Sequence, residues 1–302
     1  MKDTVISLEG NSFMPQKRTL LGVFAHPDDE SFGPGATLAR YAAEGANVHV
    51  IIATDGIAGS VEESHKLEEH EILAQVRSAE LANAAVALGL TSIWSLPYRD
   101  SGMRNTPDND HPDALIQQPI EKLVENLMEY IERLQPQVII THDPFGGYGH
   151  PDHIRCCESV TVAFHLARER GQAKNGNGFG NGYRGPQKLY YTALDRRMVR
   201  VFVKLMPLFG QDPTAMGRNK DINWVEIAEW ETPITTRIDT RDYYQLRLAA
   251  SRAHASQFGG GPGWMRLVPK FIRRSRLGFD TYMRAYPEAE PYVEQDLFAG
   301  VI

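Results

Sequence analysis

Two short runs of histidine and aspartate could together hold a metal ion. The first, AHPDDE, spans residues 25–30, and the second, GHPDH, spans residues 149–153. His26 and Asp29 are three residues apart across a turn, so one imidazole and one carboxylate can meet the same ion. His153 can supply a third ligand and leave a fourth position for water. Three protein ligands with one open position are the pattern of a catalytic zinc site.

An aspartate between the two expected ligands of the first run could take part in the reaction itself. Asp28 lies beside Asp29 and is not needed as a ligand, so its carboxylate can take a proton from water activated by the metal. Imidazole and carboxylate ligands without cysteine also suit iron(II) or manganese. A single His-Pro-Asp run could equally be a turn whose aspartate caps a helix. The presence of two such runs favours a metal site that activates water.

Both runs are predicted to lie where a strand ends and a helix begins. Apolar stretches predict strands over 19–25 and 137–141, and helical patterns follow over 31–44 and 152–168. Ligands bind at the carboxyl edge of open α/β sheets. We therefore expect the two runs to meet at one edge of one sheet.

The remaining pattern predicts the fold class. Strands alternate with helices four times in the first half of the chain, which is typical of right-handed βαβ units. Further strands are predicted over 48–53, 92–96, 189–192 and 231–239. Further helices are predicted over 120–134, over 241–256 and over a stretch that ends at Leu88. A mobile loop is predicted over 174–186. The expected fold is a Rossmann-like, mostly parallel sheet flanked by helices, with a C-terminal α/β cap. Residues 1–170 form the metal-binding core, and residues 171–302 continue the sheet and cap the substrate pocket within one compact domain.

The composition of the chain narrows the classes of molecule that it is expected to bind. The chain has 302 residues, 42% of them hydrophobic and 23% charged, as is ordinary for soluble globular proteins. A net charge of -6 argues against nucleic acid or an anionic membrane surface as the main partner. No apolar run is long enough for a membrane span, and the N-terminus lacks the pattern of a signal peptide. Cys156 and Cys157 are adjacent, a poor geometry for a disulfide, so we expect a cytoplasmic protein. A homo-oligomer is left open.

The two runs carry a family resemblance. With TDG at 54–56, RSAEL at 77–81 and RDSGM at 99–103, they resemble the PIG-L (LmbE-like) family of zinc-dependent N-acetylglucosaminyl deacetylases. The chain length and the loop around Asp100 are most similar to the branch that deacetylates N-acetylglucosaminyl-inositol in the mycothiol pathway, or to its amidase relative. The resemblance implies a small-molecule substrate, a glycoconjugate that contains N-acetylglucosamine. Its acetamido group would be hydrolysed to acetate and a free amine, with Zn2+, Fe2+ or another divalent ion. An amidase for a larger thiol conjugate and a non-catalytic sugar-binding protein of the same fold are the alternatives.

The resemblance also assigns roles around the metal. It implies His26, Asp29 and His153 as metal ligands and Asp28 as the general base. Asp152 is expected to orient a neighbouring imidazole by a contact on the side away from the metal.

Further roles concern the substrate. The resemblance implies that His150 stabilises the developing charge or protonates the leaving amine, and that Tyr148 reaches the carbonyl oxygen as it becomes an oxyanion. Arg77 and Asp100 are expected to hold sugar hydroxyls, with a solvated helix arginine and a turn cap as their respective alternatives. His254, near the end of the predicted helix 241–256, is expected to interact with the helix end, with a place at the edge of the active site as its alternative.

Overall fold

The protein forms a mixed sheet covered by helices. The computed structural model describes residues 17–61, 70–176, 178–180, 182–217, 220–258, 278–291 and 293–302. Within these residues the strands are β1 (Thr19–Phe24), β2 (Asn47–Thr54), β3 (Ser92–Tyr98), β4 (Val138–Thr141), β5 (Lys188–Thr192), β6 (Thr236–Asp239) and β7 (Phe279–Tyr286). They form a seven-stranded sheet in the order β3-β2-β1-β4-β5-β7-β6. The first five strands are parallel, and β7 runs antiparallel between β5 and β6. The predicted α/β fold with a mostly parallel sheet is confirmed.

Helices cover both faces of the sheet. They are α1 (Asp29–Phe32), α2 (Gly35–Ala43), α3 (His70–Leu88), α4 (Ile120–Leu134), α5 (Pro151–Gly176), α6 (Arg196–Leu205), α7 (Trp224–Glu229) and α8 (Tyr244–Ala253). In the central strand β1, Leu21 and Val23 pack into the same apolar cluster as side chains of α4 and α5. Leu20 and Phe24 face the opposite cluster, with side chains of α2, α3 and α8. Since both faces of β1 are buried, the side chains named above are all apolar, and each contributes about 1.5–3 kcal/mol.

The first predicted helix, 31–44, is two helices. The turn α1 ends at Phe32, and α2 starts at Gly35 after Pro34. Proline has no backbone N–H to continue a helix but is well tolerated where one begins. The predicted single helix was therefore wrong.

The second half of the chain departs further from the predicted elements. The helix α5 continues to Gly176, so the start of the predicted loop 174–186 is wrong. The later part of that loop packs back onto α5: a side chain on Gly171 would lie only 2.2 Å from the carbonyl carbon of Arg184, so the backbones touch there. The predicted strand 231–239 begins only at Thr236, and α8 is shorter than predicted. The strand β7 and the helices α6 and α7 were not predicted.

A C-terminal segment is tied to the sheet by one buried carboxylate. Glu294 pairs with Lys188 of β5 and, at 3.2 Å, with Arg284 of β7. Its other oxygen accepts hydrogen bonds from Tyr190 and Thr236, at 2.5 and 3.3 Å. These five residues, the Glu294 cluster, join β5, β6, β7 and the C-terminal segment. None of the helices in the described part of the chain has the length and apolar character needed to cross a bilayer.

Candidate metal centre

The two runs meet at the carboxyl ends of the neighbouring strands β1 and β4. His26 lies two residues beyond β1, and its backbone N–H donates to Asp29 Oδ2 at 2.8 Å, which closes the turn. The second run opens α5, so His153 lies in the first turn of that helix. The loop before it turns at Gly146 with φ +76°, where a side chain would lie 2.7 Å from the carbonyl oxygen of His150. Only glycine fits that turn.

Three of the predicted ligands converge on one point. His26 Nδ1 lies 3.1 Å from His153 Nε2 and 3.4 Å from Asp29 Oδ2, and the last two atoms are 3.3 Å apart. Tetrahedral zinc with ligand distances of 2.0–2.1 Å places its ligand atoms about 3.3 Å from one another. The near-equilateral triangle of two imidazoles and one carboxylate therefore fits a small divalent ion with an open position.

His142 stands at the same place and was not singled out from the sequence. Its Nε2 is 3.5 Å from Asp29 Oδ2, and its ring stacks on His153 with centroids 3.8 Å apart. However, the backbone N–H of Ala25 donates to that same Nε2 at 3.0 Å. Since this hydrogen bond uses the nitrogen's lone pair, His142 supports the triangle and is not available as a ligand through Nε2. Burial lowers the pKa of His142 to about 4, so the ring is neutral. Its position directly after β4 was the available sequence signal.

Two carboxylates face the second nitrogen of His26. Asp152 Oδ2 lies 3.2 Å and Asp100 Oδ1 3.4 Å from His26 Nε2. Each carboxylate is fixed by a backbone N–H, from Ser101 to Asp152 at 2.9 Å and from Gly102 to Asp100 at 2.8 Å. Burial alone would raise the pKa of Asp100, but His26 beside it holds that pKa below its usual range. An imidazole held this way on one nitrogen presents the other in a fixed orientation.

Asp28 lies beside the triangle in a strained backbone conformation. Its φ is 137° and its ψ -27°, which is rare for any residue but glycine. Arg77 donates to Asp28 Oδ2 at 3.1 Å, to the carbonyl oxygen of Pro27 at 2.6 Å and to that of Gly56 at 2.5 Å. Burial raises the pKa of Asp28 to about 7, and the Arg77 guanidinium opposes that rise. Arg77 is only 2% exposed, so the alternative of a solvated helix arginine is wrong.

The second run and the residue before it supply two groups on the open side of the cluster, His150 and Tyr148. The backbone N–H of Asp152 donates to His150 Nδ1 at 3.2 Å, so the neutral ring carries its proton on Nε2. Burial lowers the pKa of His150 well below its usual value, which keeps the ring neutral. The partly exposed ring of Tyr148 stands edge-on to His150 and His153, with centroids 5.8 and 5.2 Å away.

A polar pocket of about 390 Å³ opens beside these groups. It contains six of the side chains singled out from the sequence as site residues or ligands, together with others from later in the chain: His26, Asp28, Arg77, Asp100, Tyr148, His150, Asp221, Ile222 and Gln257. A more apolar cavity of about 480 Å³ adjoins it and shares Tyr148 and Ile222. Asp221 and Ile222 were missed because no motif marks them. Gln257 ends the HASQ run 254–257, which begins with His254, and its position fits the alternative given for that histidine, a place at the edge of the active site.

The charges around the triangle are unbalanced. Asp28, Asp29, Asp100 and Asp152 are largely buried, and in the described part of the chain Arg77 is the one arginine or lysine paired with any of them. Buried carboxylates require compensating positive charge. The residues present therefore fit a divalent cation in both geometry and charge.

The fold and the site define an α/β protein with a His/Asp metal centre at the carboxyl edge of a parallel sheet. A family model described as "PIG-L: GlcNAc-PI de-N-acetylase" matches residues 21–164. A 1D-myo-inositol 2-acetamido-2-deoxy-alpha-D-glucopyranoside deacetylase of Acidothermus cellulolyticus is 36% identical over 296 residues, which cover 94% of this chain and 95% of the relative. The chain belongs to the PIG-L family, as its two runs predicted.

Solved structures agree on the fold. An N,N'-diacetylchitobiose deacetylase from Pyrococcus horikoshii matches with a TM-score of 0.59 at 20% identity, covering 89% of this chain and 84% of that one. A 4-carboxy-2-hydroxymuconate hydratase from Pseudomonas putida matches with a TM-score of 0.56 at 17% identity, covering 90% and 98%. Because a deacetylase and a hydratase share this fold, the fold alone does not determine the reaction.

Proposed function

We propose that the protein hydrolyses the acetamido group of a small N-acetylglucosamine conjugate, releasing acetate and a free amine. The triangle formed by His26, Asp29 and His153, with Asp28 beside it in the polar pocket, carries this proposal. An inositol conjugate is the favoured substrate, because the relative from Acidothermus cellulolyticus is named for it.

The same three residues would hold the metal, with Zn2+ as the favoured ion and Fe2+ as the alternative. A divalent ion bound there supplies Lewis acidity for the amide carbonyl and acidifies water. Asp28 then accepts the proton of the attacking water, with its carboxylate aimed by Arg77. Asp152 and Asp100 hold His26 so that its Nδ1 faces the triangle.

The groups on the open side act on the substrate. His150 carries its proton on Nε2 and can donate it in a hydrogen bond to the developing oxyanion or the leaving amine. The Tyr148 hydroxyl serves the same oxyanion from the pocket wall. The contacts of Arg77 favour positioning of Asp28 over binding of sugar hydroxyls, whereas Asp100 lines the pocket, and its role towards a hydroxyl stays a prediction.

A second candidate is an amidase acting on a larger thiol conjugate. The observation that favours it is the apolar cavity next to the polar pocket, since a bulky apolar substituent would fit there. A sugar-binding protein without activity is disfavoured, because each proposed catalytic position holds a residue able to do the chemistry.

The test combines metal content with acetate release from N-acetylglucosaminyl-inositol, N-acetylglucosaminyl-malate, free N-acetylglucosamine and chitobiose. We expect about one metal per chain, acetate release that a chelator abolishes, and recovery when the metal is added back. Asp28→Asn should retain the metal and lower kcat by about 10²- to 10⁴-fold. Asp212→Asn, a matched change in an exposed loop, should behave as wild type.

Other outcomes are equally informative. Metal-loaded protein that releases no acetate but cleaves a thiol-conjugate amide would establish the second candidate. Protein that binds no divalent metal would refute both.

A further inference from the structure

A buried contact joins the C-terminal third of the chain to the first His/Asp run. His254 follows α8 and is fully buried, as is Glu30. His254 Nε2 lies 2.7 Å from Glu30 Oε1, which also accepts the hydroxyl hydrogen of Ser31 at 2.5 Å. The other oxygen of Glu30 accepts the backbone N–H of Asp28 at 3.0 Å. Glu30 therefore bridges His254 to the backbone of Asp28.

That backbone N–H belongs to the strained residue of the site. A non-glycine residue in a sparsely populated φ/ψ region persists only when its surroundings over-determine it. The carbonyl oxygen of Asp28 is held by the N–H groups of Ser31 and Phe32, both at 2.9 Å, and its carboxylate is held by Arg77. Glu30 supplies the remaining hold, on the N–H. Loss of that hold lets the peptide rotate, which moves the carboxylate relative to the triangle.

His254 supplies the positive charge that Glu30 needs. Glu30 lies in the same turn as Asp28 and Asp29, which repel its carboxylate. Burial alone would lower the pKa of His254, but its hydrogen bond and charge interaction with Glu30, with Asp28 and Glu80 nearby, hold that pKa above its usual range. His254 is the C-cap residue of α8, the position at the helix end that was expected for it, and it also interacts with a specific carboxylate, that of Glu30.

The segment that carries His254 is anchored independently. Glu80 of α3 accepts the backbone N–H and the hydroxyl hydrogen of Ser256, both at 2.7 Å. Gln257, the next residue, lines the polar pocket. Glu30 and Glu80 thus hold the same segment, 254–257, but Glu30 is the one that also contacts Asp28.

We infer that Glu30 and His254 are positioning residues for Asp28: the pair fixes the Asp28 peptide so that its carboxylate faces the metal triangle. Neither residue belongs to the triangle or lines the polar pocket, so they act on the reaction through Asp28. This inference rests on the proposed function, in which Asp28 is the general base.

The experiment measures kcat, KM, metal content and hydrogen exchange of the 25–32 segment in Glu30→Gln and His254→Ala. We expect kcat to fall by about 10- to 100-fold, with KM and metal content unchanged because ligands and pocket wall are intact. His254→Gln, which restores an N–H donor to Glu30, should recover part of the loss. The double variant should be little worse than either single variant, because both act through one N–H.

Glu80→Gln is the matched control. It removes a buried carboxylate that holds the same segment without touching Asp28, so it should lower the melting temperature but change kcat of the folded enzyme and exchange of the 25–32 segment far less than Glu30→Gln does. A wild-type kcat in Glu30→Gln would overturn the inference. So would a loss of kcat that follows metal loss, or an equal loss of kcat in Glu80→Gln.

The exchange measurement separates this inference from the proposed function. If wild-type protein deacetylates none of the substrates, the proposed function fails. Faster exchange of the 25–32 segment in Glu30→Gln and His254→Ala, with a far smaller change in Glu80→Gln, would still support the positioning contact. Unchanged exchange in all three variants would refute the contact, whatever the activity.

Discussion

The protein contains two buried polar clusters that differ in how the charge of their carboxylates is compensated. In the Glu294 cluster, one carboxylate meets an ammonium, a guanidinium and two hydroxyls. At the metal triangle, there are four largely buried carboxylates, of which Asp28 is paired with the guanidinium of Arg77 and the other three lie beside imidazoles. The first cluster supplies its own permanent counter-charges, whereas the second needs a bound cation or protonated imidazoles to balance its carboxylates.

Because of this difference, one cluster serves the stability of the fold and the other serves metal binding. A buried carboxylate whose partners are all present joins distant segments and needs nothing from solution. A cluster with excess negative charge is stable only with a cation or bound protons, so it binds a metal and responds to it. The Glu294 cluster therefore holds the C-terminal segment on the sheet, and the triangle with its neighbouring carboxylates is suited to bind a cation.

The largest effect is expected from Asp29→Asn. Removal of one ligand of the triangle should lower the metal content. It should also reduce acetate release by more than about 100-fold, because substitution of a residue that only hydrogen-bonds to a ligand already costs about 10- to 100-fold. Metal content by elemental analysis and melting temperature with and without added metal would check this. The melting temperature of the wild type should rise on metal addition, and that of the variant should not. Full metal content in the variant would mean that Asp29 is not a ligand.

Glu294→Gln should have the next largest effect, and on stability alone. It leaves Lys188 and Arg284 buried without their counter-charge, which should lower the free energy of unfolding by about 3–5 kcal/mol. Urea unfolding measures this loss, and kcat per folded, metal-loaded molecule should equal that of the wild type. A fall in kcat at full folding would show that the two clusters are coupled and break the comparison.

Arg77→Lys should have the smallest effect of the three. Lysine keeps the positive charge but cannot reach Asp28, Pro27 and Gly56 together as the guanidinium does, so kcat should fall about 10- to 100-fold. Steady-state kinetics on the best substrate distinguish the two roles considered for Arg77. An unchanged KM indicates positioning of Asp28, and a raised KM with unchanged kcat indicates contact with sugar hydroxyls.

The parts of the site that were predictable from sequence are those encoded locally. His26 and Asp29 belong to one turn, and His153 opens the helix after a parallel strand, so strand order alone brings the ends of β1 and β4 together. The carboxylates behind His26 are less visible: Asp152 belongs to the second run, but Asp100 comes from a separate loop. His142 was overlooked although it follows β4 directly, because its neighbours complete no recognisable motif.

Residues that act across the fold were not predictable in their roles. Arg77 is 49 residues from Asp28, and Glu30 is 224 residues from His254, yet both contacts are direct. Hydrophobic periodicity reports which face of an element is buried, and a polar side chain with a distant partner leaves no such trace. The same reason hid the whole Glu294 cluster.

The sequence by itself determined the alternating strands and helices, the family and the local turns that carry the metal ligands, because each depends on residues close together in the chain. The tertiary structure decided which charges are balanced, which histidine is free to bind a metal and what fixes the backbone of Asp28. Those outcomes depend on desolvation and on contacts between distant segments, which arise only when the chain is folded.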